Sequence, residues 1–216
     1  MEKVAYSRPR KQSSVDSDEV DSYDMVRSAC LPVLYILTIC TGIVGCACNG
    51  IITRYWAESI GRCYLYAATA SNSIIYQFGS VIHNCHFVTY GGVTALFLCA
   101  IAFGVYFFMV RGDEKTGREM LILLVLVTLS SLFFLTVSCV LTEGMRQTCA
   151  AMGLNSANNK GEGCMDKLDI RVSQYNLPIE TSVMVTGATG GLWGATVFIL
   201  IITVLHFYSF YKHGAN

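Results

Sequence analysis

The chain has 216 residues, of which 53% are apolar and only 14% are Asp, Glu, Lys or Arg, against roughly 25% charged residues in a soluble domain. Its formal net charge is zero, and without basic tracts or basic residues interleaved with aromatics it offers nucleic acid no footprint. A soluble fold and a nucleic-acid partner are excluded, and an all-α membrane protein is expected.

Residues 1–28 set Ser7, Ser13, Ser14, Ser17 and Ser22 among Asp16, Asp18, Glu19, Asp21 and Asp24, with almost no apolar periodicity. This is the composition of a disordered tail. Phosphorylation there would deepen its negative charge and make it a regulated docking segment; a plain solvated tail is the simpler reading. It is unlike the short basic region of a cleaved secretory signal, so the apolar stretch that follows is expected to stay as the first span.

Four apolar stretches occupy about 30–52, 88–110, 120–141 and 183–208, each of 22 residues or more and none containing Asp, Glu, Lys or Arg. About 20 residues suffice to cross roughly 30 Å of hydrocarbon as a helix. Backbone groups in lipid must be satisfied internally, and runs this long and continuous achieve that as helices rather than as alternating barrel strands. The expected fold is one four-helix transmembrane bundle over 29–210, followed by a short tail at 211–216.

The first outer loop, 53–87, contains the apolar runs CYLYAATA and NSIIYQFGSVI. They suit strands or helix extensions packed as a small cap, with β structure in it, over the end of the bundle. The second, 142–182, has turn material in GLNSANNKGEG, an alternating strand-like stretch in MDKLDIRVSQYNL, and Pro178 to end ordered structure before the last helix. Neither loop carries an Asn-x-Ser/Thr sequon, so no N-glycan is expected.

Each outer loop also carries two cysteines, Cys63 and Cys85 in the first, Cys149 and Cys164 in the second, whereas the inner loop and both tails have none. Disulfides persist on the extracellular or lumenal side. Pairing within each loop is simplest, although four cysteines allow three pairings; closing a loop of about 20 residues contributes of the order of 3 kcal/mol on the unfolded-state account. Basic residues point the same way. Termini in the cytosol place nine Lys and Arg there and six outside, although the outer loops are nearly twice as long. A multi-pass protein of the plasma membrane or an endomembrane follows, with the bilayer as its first partner.

Within the spans, small residues recur four apart: Gly42, Cys46 and Gly50; Gly91, Ala95 and Cys99; Gly187, Gly191 and Ala195; Gly190 and Gly194. Such stripes let backbones approach closely, either within this bundle or on a face kept for another membrane protein or a second copy. The Gly-rich start of the fourth stretch is the better candidate for that face. Tyr55, Trp56, Tyr90, Tyr208 and Tyr211 fall where interfacial anchors belong. Cys30, beside Arg27 at the inner boundary, is a candidate palmitoylation site. Cys40, Cys99 and Cys139 read as small packing residues, and Cys46 with Cys48 leaves a third disulfide open.

Little catalytic chemistry is present. Asn49 and His206 lie near span ends and read as local hydrogen-bonding or snorkelling residues rather than a relay. His83, Cys85 and His86 form a dense group of metal-ligand types, but a structural zinc would need a fourth ligand and Cys85 is wanted by a disulfide. No catalytic group, cofactor or metal is assigned. Paired Gly/Pro interruptions of the kind that mark carriers with inverted repeats are not visible.

The sequence Gly61-Arg62-Cys63-Tyr64-Leu65-Tyr66, then Cys85, then Ser138-Cys139-Val140-Leu141 with Gly144, Cys149 and Cys164 beyond, resembles the transmembrane protein 179/179B family, four-span proteins distantly related to the claudin-like group. The resemblance covers about 30–210 and implies a four-helix membrane protein with cytosolic ends. Claudins carry a Gly-Leu-Trp element before two cysteines in their first outer loop; here Gly191-Leu192-Trp193 falls in the fourth span instead, so strand formation at tight junctions is not carried over. The leading expectation is a non-enzymatic accessory or organising subunit for another membrane protein. A small pore or carrier, lined by Asn49, Ser71, Asn72 and Ser73, and a claudin-like adhesion protein are the alternatives.

Overall fold

The computed structural model describes residues 15–66, 68–69, 76–77, 82–111, 117–151, 163–164 and 180–214. Among these, four helices follow in chain order: α1 Val15–Ile60, α2 His83–Arg111, α3 Gly117–Ala151 and α4 Thr181–Gly214. A two-residue antiparallel ladder pairs β1, Ala68–Thr69, with β2, Tyr76–Gln77.

All four helices are transmembrane, with spans Cys30–Glu58, His83–Val110, Gly117–Ala151 and Thr181–Tyr211. They contain many threonines, and three that are exposed to lipid, Thr94, Thr136 and Thr186, each donate to the carbonyl four residues back. Bonding within its own helix lets a hydroxyl enter lipid at little penalty.

The helices close a ring in which α1 touches α2 and α4, and α3 touches α2 and α4. Phe134, Leu192, Ala95, Ile199 and Val137 fill its centre, all fully buried. The outward residues are as apolar as the inward ones: Phe97, Val204 and Phe108 are 65%, 66% and 77% exposed. In water such a surface would aggregate; around a bundle in lipid it is the solvated face. At the end bearing the chain termini, Tyr35 of α1 and His206 of α4 share a 3.0 Å hydrogen bond. Phe103 and Tyr106 of α2 close over Tyr35 at centroid distances of 5.3 and 5.8 Å.

Each helix overruns its expected span, so the loops are shorter than 53–87 and 142–182. Apolarity ends at the edge of the hydrocarbon, but the backbone ladder continues into water where nothing breaks it. α1 also begins at Val15 and passes through Pro32, so it takes in part of the tail expected to be disordered. The strand-like stretch MDKLDIRVSQYNL, the turn GLNSANNKGEG and Pro178 lie outside the described residues, as do Ser71, Asn72 and Ser73.

Candidate functional site

The end of the bundle opposite the termini, the cap end, is built from the exit of α1, the entry of α2 and the last turns of α3. α1 stops at Gly61, whose left-handed φ of 67° and N–H bond of 3.1 Å to the Ala57 carbonyl make a glycine cap. The chain then turns through Cys63, buried and disulfide-bonded to Cys85 in the first turn of α2. The exit of one helix is thereby tied to the entry of the next.

Tyr64, Leu65 and Tyr66 form a strap across α3. The Tyr66 N–H donates to the Gly144 carbonyl at 3.2 Å, and the Thr148 hydroxyl donates to the Tyr64 carbonyl at 3.0 Å. Gly144 suits this close approach: a Cβ on it would lie 3.0 Å from the Leu65 Cβ and 3.1 Å from a Tyr66 ring carbon, tighter than ordinary contact, so the strap would have to shift. Tyr66 itself has a φ of 59°, a conformation a bulky residue holds only where its surroundings enforce it. Its hydroxyl reaches the Val140 carbonyl at 3.3 Å.

Under the strap lies a polar chain. The buried Tyr64 hydroxyl donates to Asn49 Oδ1 at 2.6 Å, Asn49 Nδ2 donates to Thr89 Oγ1 at 2.8 Å, and Thr89 donates to the Cys85 carbonyl at 3.1 Å. The Trp56 ring packs on Tyr64 at 6.1 Å. Burial pushes the Tyr64 phenol well above its ordinary pKa, so it remains a donor throughout the working pH range. Burial, and then the nearby Glu143 carboxylate, raises Tyr66 as well. Cys149, near the end of α3, is bonded to Cys164; on the exposed surface of the same helix end Glu143 accepts from Arg146 at 2.7 Å.

The small residues are largely taken up inside the bundle. A Cβ on Gly191 would sit 2.6 Å from the Gly45 nitrogen, so α1 and α4 cross backbone to backbone. Gly42 faces Leu96 and Phe134, Gly187 faces Cys48 and Gly194 faces Thr41. Cys46 is buried against Gly92, whereas Gly50 has only Thr89 near it and Gly190 has nothing within 4 Å. Gly45 was not singled out from sequence; Thr41, Gly45 and Cys48 make a second small stripe on α1, one-third of a turn from the 42/46/50 stripe, and it was the signal available.

Cys46 and Cys48 are both free thiols, so the two bridges are the disulfides present among the described residues. Cys40 and Cys139, expected as packing residues, are instead exposed towards lipid, and Cys30 is exposed at the termini end. Cys99 is buried. Asn49 and His206 are both buried and hydrogen-bonded. His83 and His86 flank the disulfide-bonded Cys85, and among the described residues no three His, Cys, Asp or Glu come together as a metal-ligand group.

A family model described as transmembrane protein 179/179B Claudin domain matches residues 29–216, all but the first 28 residues of the chain. No curated protein and no solved structure matches it significantly. The chain belongs to the transmembrane protein 179/179B family of claudin-domain membrane proteins.

Proposed function

From that membership, which makes this a non-enzymatic four-span membrane protein of the claudin-like class, we propose that it works by contact, as an adhesion protein whose cap end docks on a protein in an apposed membrane. The carrying observation is the construction of the cap. Two disulfides, a strap seated on Gly144 and a buried polar chain fix the described part of the cap, residues 61–66 with the entry of α2 and the end of α3, and a preorganised surface of this kind loses less entropy on docking. Disulfides and the basic-residue asymmetry support an orientation with the cap outside and both termini in the cytosol.

The accessory-subunit reading takes the small-residue helix faces and the stapled outer cap as its binding surfaces, and most of those small residues already contact their own bundle. The pore reading needs a water-accessible route lined by Asn49, Ser71, Asn72 and Ser73; the Asn49 amide is bonded internally at both ends, and the other three lie outside the described residues. Acylation of Cys30, exposed at the cytosolic boundary in this orientation, would add an anchor without altering the cap. The test is aggregation of suspended cells expressing the full chain at their surface, mixed with cells that express it in a second colour. Clusters that disperse when the cap is reduced are expected; surface expression without clustering would count against adhesion.

A further inference from the structure

Between α1 and α2, at the level where the apolar stretches give way to the cap, lies a cleft of about 270 Å³ open to the side of the bundle. Gly50, Arg54 and Glu58 line it from α1; His86, Thr89 and Tyr90 line it from α2. Gly50 lies in its floor, where a Cβ would meet the Thr89 methyl at an ordinary contact distance of 3.7 Å, so only a longer side chain would reach across the cleft.

Three features identify an occupant. First, the rim carries one cation and one anion, Arg54 and Glu58, 2.9 Å apart, with side chains 78% and 60% exposed. That bond engages the Arg54 Nε, one of the five donors of a guanidinium. Secondly, the rings of His86 and Tyr90 stand beside this pair, in edge contact at 5.7 Å. Thirdly, an apolar track leads away from the cleft towards the bilayer centre: Tyr90, Val93 and Phe97 at three- and four-residue spacing on α2, and Ile43, two turns below Gly50 on α1, all more than half exposed. A charged rim balanced to zero over aromatic rings and an apolar track matches, group for group, a zwitterionic phospholipid. Arg54 suits the phosphate, Glu58 and the rings suit a quaternary ammonium, and the track suits an acyl chain.

We propose that the α1–α2 seam is a binding site for a zwitterionic glycerophospholipid of the cap-side leaflet, with phosphatidylcholine as its type. An anionic lipid would bring its surplus negative charge beside Glu58, and the described cleft lining has no second Lys or Arg to balance it.

The full chain in nanodiscs of equal phosphatidylcholine and phosphatidylglycerol, with matched acyl chains, is released into detergent and its retained lipid read by native mass spectrometry. The wild type should hold phosphatidylcholine preferentially, by about tenfold for one charge-assisted contact. Gly50→Leu should fill the seam and remove that retention, while Gly190→Leu, at a position with open space around it, should leave it intact. Glu58→Gln, a change to an exposed side chain, should turn the preference towards phosphatidylglycerol even if the Gly50 variant fails to fold. Equal retention of the two lipids by the wild type, or an unchanged preference in Glu58→Gln, would overturn the proposal and leave only annular lipid.

Discussion

A buried side-chain amide in a transmembrane bundle is stable only when its polar atoms are matched, because an unsatisfied group in a low-dielectric interior costs about 1–3 kcal/mol. Asn49 meets this condition through Tyr64 on one side and Thr89 on the other. Tyr64→Phe should therefore destabilise the protein by about 1–3 kcal/mol, seen as a lower thermal midpoint in micelles. Asn49→Leu combined with Tyr64→Phe should cost less than the sum of the two single changes, since the pair leaves no orphan. Additive losses would mean that the bond contributes little. Gly144 is a steric counterpart: Gly144→Val places carbon where the Leu65 side chain lies, and should release the strap. Faster proteolysis between Cys63 and Cys85 measures it, with the variant's helix content unchanged.

At the scale of elements, the crossing of α1 and α4 is the closest in the bundle, with Gly191 set against the Gly45 backbone. Overpacking a tight contact costs about 1–3 kcal/mol or more, so Gly191→Val should lower the thermal midpoint sharply. Gly190→Val, one residue away with nothing within 4 Å, should stay within about 0.5 kcal/mol of wild type, as surface changes do. The pair of variants separates packing from helix propensity, which affects both equally. The existence of these helices was legible in the sequence because lipid demands long uncharged runs, and 30–52 or 120–141 permits no other reading. Their ends were not, because α1 and α3 continue past the apolar limit. The strap was legible only as a motif: Tyr64 and Thr148 lie 84 residues apart, and no local pattern in GRCYLY indicates a seat on α3. The 42/46/50 stripe was visible, but which face meets which helix depends on the rotation of each helix in the ring. That is how Gly45 escaped notice.

Across the whole molecule, a lipid-solvated ring of helices carries a cross-linked cap, and the two disulfides act on different parts of it. Cys63–Cys85 joins α1 to α2, and Cys149–Cys164 fastens the segment leaving α3. Cys85→Ser should add nothing to the loss caused by Cys63→Ser, whereas Cys149→Ser should add its own, because residues in one bond act as a unit and distant ones do not. Non-additivity across the two bonds, measured by thermal unfolding without reductant, would mean that the cap behaves as a single lock. Adhesion itself is tested most directly with purified protein, free of any other membrane component, in two populations of liposomes carrying different dyes. The account predicts that liposomes bearing the full chain with its cap outward tether one another, and that reduction or Gly144→Val abolishes tethering while the protein stays inserted. Tethering that survives loss of the strap, or no tethering between the two populations with the cap intact, would contradict it.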